Sequence, residues 1–345
     1  MTPGTRARVV TILAVACAML LPLSLSTVSV APTASAAVTV VATVGSRGPR
    51  VVIIQRVVRV KADGIYGSGT AAAVKVWQRA NRLPATGIVD SLTWSGITAV
   101  WVRIPAVGND ISWPQCPRGM GIPSRRSYGL PMPTTSAQLV VIGLTNGPGF
   151  YPNPCLAAQT AWAKAHHVYA ATYAMTTYPT SRQVAAYGRK GPYPATTFAG
   201  RLANTGYAQA RYNLASMGRA RLASPFMWVD VEPYAIAPWS KSVTANRAVL
   251  NGVLAGYRRA GFRVGAYSTK SLWASIMGSA RYLLPEWRTA GPRSATVARG
   301  RCTSAYSFQG GPAVLAQWWT SSVDHDMTCP SANTPALLKA YFHKY

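Results

Sequence analysis

Between residues 106 and 319, six short apolar runs alternate with helical stretches, and this alternation constrains the fold more than any other feature of the sequence. The runs cover residues 106–111, 139–144, 168–173, 226–231, 263–268 and 314–319, and helical patterns cover 154–165, 203–217, 243–260 and 271–277. Near-continuous apolar strands separated by helices are typical of βα units and a parallel sheet. About six such units in roughly 240 residues, with further strands expected, favour a closed (β/α) barrel of the TIM type, which we assign to residues 106–345.

Carboxylates are scarce in this chain, and most of those in the predicted barrel fall where such a barrel forms its active site. The 345 residues include 35 Lys and Arg but only 8 Asp and Glu. Active residues of these barrels gather at the C-terminal ends of strands. Asp110 lies late on the first predicted strand, Asp230 and Glu232 end the fourth, and Asp324 and Asp326 follow the last. Only Glu286 lies apart from a predicted strand end.

Asp230 and Glu232 lie two residues apart in one apolar run. On a strand, residues i and i+2 share a face, so the two side chains are predicted to project side by side with Cβ atoms about 6–7 Å apart. Repulsion between the carboxylates raises the pKa of the more desolvated one, which can then stay protonated and act as a general acid. The alternative is a pair at a strand end that faces solvent or is neutralised by arginines.

Aromatic residues occupy the same strand ends as the acids. They are Trp113, Tyr173, Trp228, Tyr267, Trp318 and Trp319. Aromatic faces stack on the apolar faces of sugar rings, but aromatic residues most often fill protein cores. We interpret Trp228 as a core residue, whereas core and sugar-binding roles stay equally open for Tyr173, Tyr267 and Trp318.

Five motifs of the predicted barrel resemble those of the family 25 glycoside hydrolases, secreted lysozymes that cleave between N-acetylmuramic acid and N-acetylglucosamine. Gly-Asn-Asp-Ile-Ser-Trp-Pro-Gln at 108–115 is similar to the family's opening Gly-x-Asp-x-Ser-x-x-Gln. The others are Asp-Val-Glu at 230–232, Gly-Ala-Tyr-Ser at 265–268, Ala-Gln-Trp at 316–318, and Val-Asp-His-Asp at 323–326, where Asp326 replaces the family's Asn. Trp-Pro-Gln-Cys at 113–116 also resembles secreted actinobacterial proteins of this barrel type.

The resemblance implies a role for each matching residue. Glu232 would be the general acid that protonates the leaving oxygen. Asp230 would raise the pKa of Glu232 and stabilise the oxocarbenium-like state or the reacting N-acetyl group. Asp110 and Asp324 would orient substrate or water. The residues expected to bind substrate are Tyr173, Tyr267, Gln317, Trp318 and Asp326.

A non-catalytic alternative stays open, because a fold does not guarantee a reaction. The chain would then be a peptidoglycan-binding protein on a hydrolase-like scaffold, an interpretation favoured by Asp326 in place of Asn. For the hydrolase, the sequence gives no separation between carboxylates and so leaves retention and inversion open. The four histidines match no metal or triad spacing, and no phosphate-binding loop is present, so we expect no metal and no cofactor.

The N-terminus predicts export. Arg6 and Arg8 precede an apolar core at 9–21, and Ala-Ser-Ala at 34–36 fits a cleavage site, so residues 1–36 are predicted to be a signal peptide. The apolar core is shorter than the roughly 20 residues that a membrane helix needs, and we expect no stable membrane anchor after cleavage. We therefore expect a secreted protein that is extracellular or associated with the cell wall.

Four cysteines remain in the mature chain: Cys116, Cys155, Cys302 and Cys329. Four cysteines allow three pairings, among which the sequence alone cannot choose. Loop closure favours the nearer pairs, Cys116 with Cys155 and Cys302 with Cys329, each worth about 3–4 kcal/mol. A zinc site would need a closer cysteine spacing and is rare outside the cell.

A small module at residues 45–100 precedes the predicted barrel and resembles the type-1 peptidoglycan-binding domain, a three-helix fold. The matching segments are Ile-Gln at 54–55, Asp-Gly-Ile-Tyr-Gly at 63–67, Trp-Gln at 77–78, Gly-Ile-Val at 87–89 and Thr-Trp at 93–94. Arg82, Thr86 and Asp90 depart from the family's usual Gly, Asp and Gly. The resemblance implies that peptidoglycan is the partner of this module.

The net charge of +27 implies a polyanionic neighbour. Because the chain is predicted to be exported, anionic cell-wall polymers are the expected partner of this charge, and no nucleic acid is expected.

Overall fold

The computed structural model describes residues 38–345, and the predicted signal peptide at 1–36 lies outside these residues. The first elements form a small module of three helices, α1 (Pro49–Val57), α2 (Ser68–Ala80) and α3 (Ser91–Trp101). Two short strands, β1 (Val40–Ala42) and β2 (Val89–Asp90), pair antiparallel beside them. The three-helix prediction is confirmed, although the module also recruits β1, which begins before residue 45.

Two buried glutamines organise the module in the same way. The Gln55 side chain accepts from Gly64 N at 2.9 Å and donates to Ile65 O at 2.9 Å. The Gln78 side chain likewise accepts from Gly87 N at 2.9 Å and donates to Ile88 O at 2.8 Å. Gly64 and Gly87 both have φ +74°, a conformation that side chains beyond glycine rarely adopt. The two glycine turns of the sequence are therefore repeated structural units, each held by one glutamine.

Two of the three departures from the family pattern, Thr86 and Asp90, preserve hydrogen bonds of the module. Thr86 Oγ1 accepts from Ile88 N at 3.1 Å, as Asp63 Oδ1 accepts from Ile65 N at 3.0 Å in the first turn. Asp90 accepts from Thr93 N at 2.7 Å and so caps the start of α3. Thr86 and Asp90 thus supply the hydrogen bonds that the module needs at these positions.

Eight strands close into a barrel. Seven of them are parallel: β3 (Val107–Ile111), β4 (Leu139–Gly143), β5 (Tyr169–Met175), β6 (Phe226–Asp230), β7 (Arg263–Ser268), β8 (Glu286–Thr289) and β9 (Ala313–Trp319). The eighth, β10 (Asp324–Thr328), runs antiparallel to both β9 and β3 and closes the circle. A short final strand, β11 (His343–Lys344), pairs with the beginning of β5.

The antiparallel β10 departs from an all-parallel TIM barrel and corrects the predicted position of two acids. Asp324 and Asp326 lie on a strand, not beyond the last one. Thr320 N donates to Val323 O at 2.9 Å in the tight connection from β9, and a connection this short reverses the chain direction. Because β10 runs backward, its first residues lie at the same barrel end as the C-terminal ends of the parallel strands.

Helices surround the barrel, and two disulfides fasten its connections. The helices are α4 (Leu156–Ala165), α5 (Ser181–Tyr187), α6 (Phe198–Arg219), α7 (Val243–Arg259), α8 (Lys270–Met277), α9 (Ala295–Gly300) and α10 (Thr334–Tyr341). The bonds Cys116–Cys155 and Cys302–Cys329 are the pairing that loop closure favours, and the prediction is confirmed. Among residues 38–345 no helix combines the length and apolar character needed to span a membrane.

Candidate active site

A polar cavity of about 300 Å³ opens at the C-terminal end of the parallel strands. Its walls are Asp110, Tyr173, Asp230, Glu232, Tyr267, Trp287, Gln317, Trp319 and Asp324. All four residues predicted to be catalytic lie here, together with three of the five predicted to bind substrate. Trp318 and Asp326 do not line the cavity, whereas Trp287 and Trp319 line it without having been assigned a role.

Strand alternation selects which side chains reach the cavity. On β6, Phe226, Trp228 and Asp230 share the inward face, and the first two are fully buried beneath the cavity while Asp230 ends the strand at its floor. The buried position of Trp228 agrees with its interpretation as a core residue.

A glycine on β4 leaves room for one aromatic wall. A Cβ atom at Gly143 would lie 2.7 Å from the Tyr173 ring and 2.6 Å from Ser112 Cβ. A larger residue at this position would therefore displace the Tyr173 ring.

A hydrogen-bonded chain crosses the cavity floor from β7 to β3. The Tyr267 hydroxyl donates to Gln317 Oε1 at 2.8 Å, and Gln317 Nε2 donates to Asp110 Oδ2 at 2.8 Å. The amide is thereby fixed in orientation, and Asp110 is held against the wall. Gln317, which was predicted to bind substrate, also positions a carboxyl group.

Glu232 lies just beyond the strand, not on it, because β6 ends at Asp230. The expectation that both acids lie on one strand is therefore wrong, although both side chains line the same cavity. The Glu232 main-chain carbonyl accepts from Trp239 Nε1 at 3.0 Å, which ties the segment after the strand to the following loop. Glu232 is partly exposed at the cavity mouth, whereas Asp230 is only 4% exposed.

Burial is the largest cause of the raised pKa values of Asp230 and Glu232. It raises the pKa of Glu232 to about 7, with a further increase from the charge of Asp324 and a decrease from the nearby Arg125 guanidinium. Burial also raises the pKa of Asp230 well above its ordinary value, followed by the charges of Glu232 and Asp110. The resemblance implied that Asp230 raises the pKa of Glu232, but burial and then the charge of Asp324 raise it.

Two further acids face the pair from β3 and β10. Burial raises the pKa of Asp110 to about 8, the charge of Asp324 adds to this, and the Gln317 hydrogen bond opposes it. Burial raises the pKa of Asp324 to about 6. Asp324 is thus the acid of this group that ionises first as the pH rises, and its charge helps to keep Glu232 protonated.

Arg125 is a cation near the carboxyl groups that no sequence pattern had suggested. It belongs to the irregular segment between β3 and β4, and its guanidinium lies 4.2 Å from the Tyr234 ring centroid and 5.5 Å from that of Trp113. Stacking of this kind fixes a guanidinium at a defined place. Arg125 therefore offers a positioned positive charge beside Glu232.

Trp318 lies on the outer face of the barrel wall. Its ring stacks on His325 of β10 at 5.1 Å, and the two residues are directly paired across the strands. Since neighbouring residues of a strand point to opposite faces, Gln317 and Trp318 cannot both line the cavity. Trp319, one position further, shares the inward face with Gln317 and lines the cavity.

Asp326 is fully buried below the cavity floor. Its Oδ1 accepts from Trp287 Nε1 at 2.8 Å, and a side-chain hydrogen bond links its carboxyl group to that of Asp110. Burial, then the charge of Asp110, raises the pKa of Asp326 well above its ordinary value. Asp326 is therefore a neutral carboxylic acid at a pH where an exposed aspartate is charged. In this form its shape and charge are close to those of the Asn that family 25 glycoside hydrolases carry at this position.

In the Asp326→Asn variant, the free energy of unfolding is expected to fall less with rising pH than in the unmodified chain. A carboxyl whose pKa is raised by folding contributes stability that is fully present below the unfolded pKa of about 3.9 and is lost as the pH rises. The unfolding free energy of the unmodified chain should thus fall from pH 5 to pH 8, and that of Asp326→Asn should fall less. Denaturant titrations at both pH values measure this difference, and equal slopes for both chains would contradict a neutral Asp326.

Family models match both parts of the chain. Residues 54–96 match the model described as "Putative peptidoglycan binding domain". Residues 196–288, from α6 to β8, match the model described as "Lysozyme-like protein 1". The chain joins a peptidoglycan-binding domain to a lysozyme-like barrel. Peptidoglycan is the partner that the first match indicates, and the second match includes Asp230, Glu232 and Tyr267.

Solved structures that match the chain come from several organisms, while no curated protein matches it. A bacterial lysozyme from Streptomyces coelicolor is 19% identical over 68% of this chain and 96% of its own, with a TM-score of 0.44. A family GH25 lysozyme from Aspergillus fumigatus is 15% identical over 69% of this chain and 99% of its own, with a TM-score of 0.45. The modular autolysin LytC from Streptococcus pneumoniae is 12% identical over 65% of this chain, which spans 46% of LytC, with a TM-score of 0.39.

Proposed function

We propose that the chain is a secreted cell-wall hydrolase that cleaves the glycan strand of peptidoglycan in the manner of a muramidase. The observation that carries this proposal is the carboxyl cluster: Glu232, with a pKa raised to about 7, faces buried acids in a cavity walled by aromatic rings. Two carboxyl groups in different environments are the requirement for glycoside hydrolysis. The peptidoglycan-binding domain in the same chain supports the same substrate.

In this reaction the protonated Glu232 donates its proton to the oxygen that leaves with the cleaved glycan. In this proposal Asp230, deeper in the cavity, stabilises the oxocarbenium-like carbon or the reacting N-acetyl group. Burial and the charge of Asp324 keep Glu232 protonated near neutral pH, and burial with the charge of Glu232 raises the pKa of Asp230. Asp110 and Asp324 orient substrate or water, and the aromatic walls accept the apolar faces of the sugar rings.

Hydrolysis is expected to decline as the pH rises through about 7, since Glu232 then loses the proton that it must donate. Asp324, with a pKa of about 6, should be charged in the active form, so the rate should also fall at lower pH. Reducing ends released from purified peptidoglycan between pH 4 and pH 9 measure the profile. A rate that stays constant across pH 7 would exclude Glu232 as the general acid.

The second candidate is a peptidoglycan-binding protein without turnover. Its motivation in the sequence is Asp326, which stands where the family carries Asn, although the buried, neutral Asp326 carboxyl resembles that Asn in shape and charge. This candidate predicts that the chain sediments with insoluble cell wall and releases no reducing ends from it. Reducing ends that depend on Asp230 and Glu232 would exclude it.

The proposed location is outside the cell, with residues 1–36 removed as a signal peptide. Two disulfides support it, because such bonds persist in oxidising compartments. We further propose domain bounds at 45–100 and 106–345, with β1 as an addition to the first. Anionic cell-wall polymers are proposed as a further partner of the basic surface, and no nucleic-acid role is proposed.

A further inference from the structure

A groove beside the candidate active site is built from aromatic and basic side chains. Its two cavities, of about 580 and 490 Å³, share a wall formed by Phe150 and Tyr187. The segments that line the larger cavity follow β4, β5 and β6, so it opens at the same end of the barrel as the carboxyl cluster. We call the two cavities and their common wall the Phe150 groove.

The wall of the groove includes a residue in an unusual backbone conformation. The rings of Phe150 and Tyr187 stack at 4.6 Å with 4° between their planes, and Tyr212 packs edge-on against Phe150 at 5.7 Å. Phe150 has φ +68°, which is rare for a bulky residue and persists only where the surroundings enforce it. Gly149 N donates to Thr177 Oγ1 at 3.0 Å and fixes the preceding turn. The half-buried ring pair is thus presented to solvent in one orientation.

Cations flank this wall on both sides. Arg182 lines the larger cavity, and Lys190 and Arg211 line the smaller one; all three are exposed. The sequence has no acidic residue between Asp110 and Asp230. Within residues 38–345 the one salt bridge joins Glu286 to Arg288, so the cations of the groove are not neutralised by a carboxylate of the described chain.

We propose that the Phe150 groove binds a sugar-containing phosphodiester polymer of the kind attached to bacterial cell walls. Positive side chains on both sides of an aromatic wall fit a polymer in which negatively charged groups alternate with sugar rings. The negative groups would contact the cations, and a sugar ring would lie on the aromatic wall. Guanidinium groups bind phosphate oxygens in a bidentate geometry, and ring faces stack on apolar ligand faces. The peptide stems of peptidoglycan place carboxylates only at chain ends and side chains, which fits this repeat less well. The inference rests on the proposed cell-wall location but not on turnover.

The experiment compares cell walls that carry phosphodiester polymers with the same walls after hydrofluoric acid has cleaved those polymers. The full chain should sediment with intact walls more strongly than with stripped walls. The triple variant Arg182→Ala/Lys190→Ala/Arg211→Ala should bind intact walls on the order of tenfold or more weakly than the unmodified chain. The same variant should bind stripped walls as the unmodified chain does and release reducing ends from them at the same rate.

A matched control separates the groove from net charge. Arg103→Ala/Lys339→Ala/Arg299→Ala removes the same three charges from exposed positions that line neither cavity of the groove. This control should retain most of the binding to intact walls. Tyr187→Phe should retain binding, whereas Tyr187→Ala, which removes the stacked ring, should weaken it at high salt as well, where charge attraction is screened.

Three results would each overturn the proposal. Equal losses in the groove and control variants would show that net charge alone holds the chain on the wall. Equal binding to intact and stripped walls would identify peptidoglycan itself, including its peptide carboxylates, as the ligand. Competition by single-stranded DNA at the same phosphate concentration as soluble wall polymer would mark the groove as a general polyanion site. Absence of hydrolysis in all samples would contradict the proposed reaction but leave these binding comparisons intact.

Discussion

Glu232→Gln is expected to lower the rate of glycan hydrolysis by about 10²–10⁴-fold, the usual effect of removing a general acid. Glutamine has nearly the same shape as the protonated glutamic acid but cannot donate a proton of comparable acidity. The cavity and the sugar contacts should therefore persist while proton transfer to the leaving oxygen is lost. Reducing ends released from purified peptidoglycan at pH 6 measure the effect.

Two controls test whether the loss is chemical. Sedimentation with insoluble peptidoglycan should be unchanged in Glu232→Gln, because the peptidoglycan-binding domain is intact. Asp63→Asn, which alters an exposed acid of that domain, should hydrolyse as fast as the unmodified chain. If Glu232→Gln digests purified wall as well as the unmodified chain does, Glu232 is not the general acid.

Much of the barrel could be predicted because its central strands are buried on both faces. The runs at 139–144, 226–231 and 263–268 are apolar because they contact helices outside and aromatic side chains inside, and the structure places strands there. Because active residues of such barrels gather at the C-terminal ends of strands, the acids at these ends were predicted to share one site. Position along a predicted strand was enough to bring Asp110 and Asp230 together, whereas Asp324, predicted just past the last strand, lies on β10.

Two strands could not be predicted because their sequences are polar. β8 reads Glu-Trp-Arg-Thr and β10 reads Asp-His-Asp-Met-Thr, so neither forms an apolar run. Their buried acids have partners that lie far away in sequence, such as Trp287 Nε1 for Asp326 and Gln309 N for Glu286. No local pattern reveals such partners, and the antiparallel direction of β10 was missed for the same reason.

The sequence alone could have shown which side chains of β9 point together toward the same face of the barrel wall. Alternation places either Gln317 and Trp319 or Trp318 on the inward face, never all three. Trp318 was expected in the site because of the resemblance. The hydrogen bond from Gln317 to Asp110 places Gln317 on the inward face, and Trp319, two positions further, shares that face. Arg125 had no such signal, since the irregular segment that carries it has no periodicity.

Glu286 explains why one acid of the barrel lies away from the cavity. Its Oε2 accepts from Arg288 Nε at 2.7 Å, and both side chains are buried, at 0% and 3% exposure. Its Oε1 accepts from Gln309 N and Gly311 N, both at 3.0 Å. Arg288 in turn donates to the carbonyls of Arg301 and Thr303 at 2.9 and 2.6 Å. The pair therefore anchors the connection from β8 to β9 against the outside of the barrel.

Glu286→Ala is expected to destabilise the chain by about 3–5 kcal/mol, because it leaves a buried guanidinium unpaired. The melting temperature should fall on the order of 10 °C, as measured by calorimetry or circular dichroism. Arg288→Met should also destabilise, since a buried carboxylate then loses its cation. The double variant Glu286→Ala/Arg288→Met removes both charges, and its cost should be clearly smaller than the sum of the two single costs. Additive costs would mean that the two side chains act independently and that the ion pair does not anchor the β8–β9 connection.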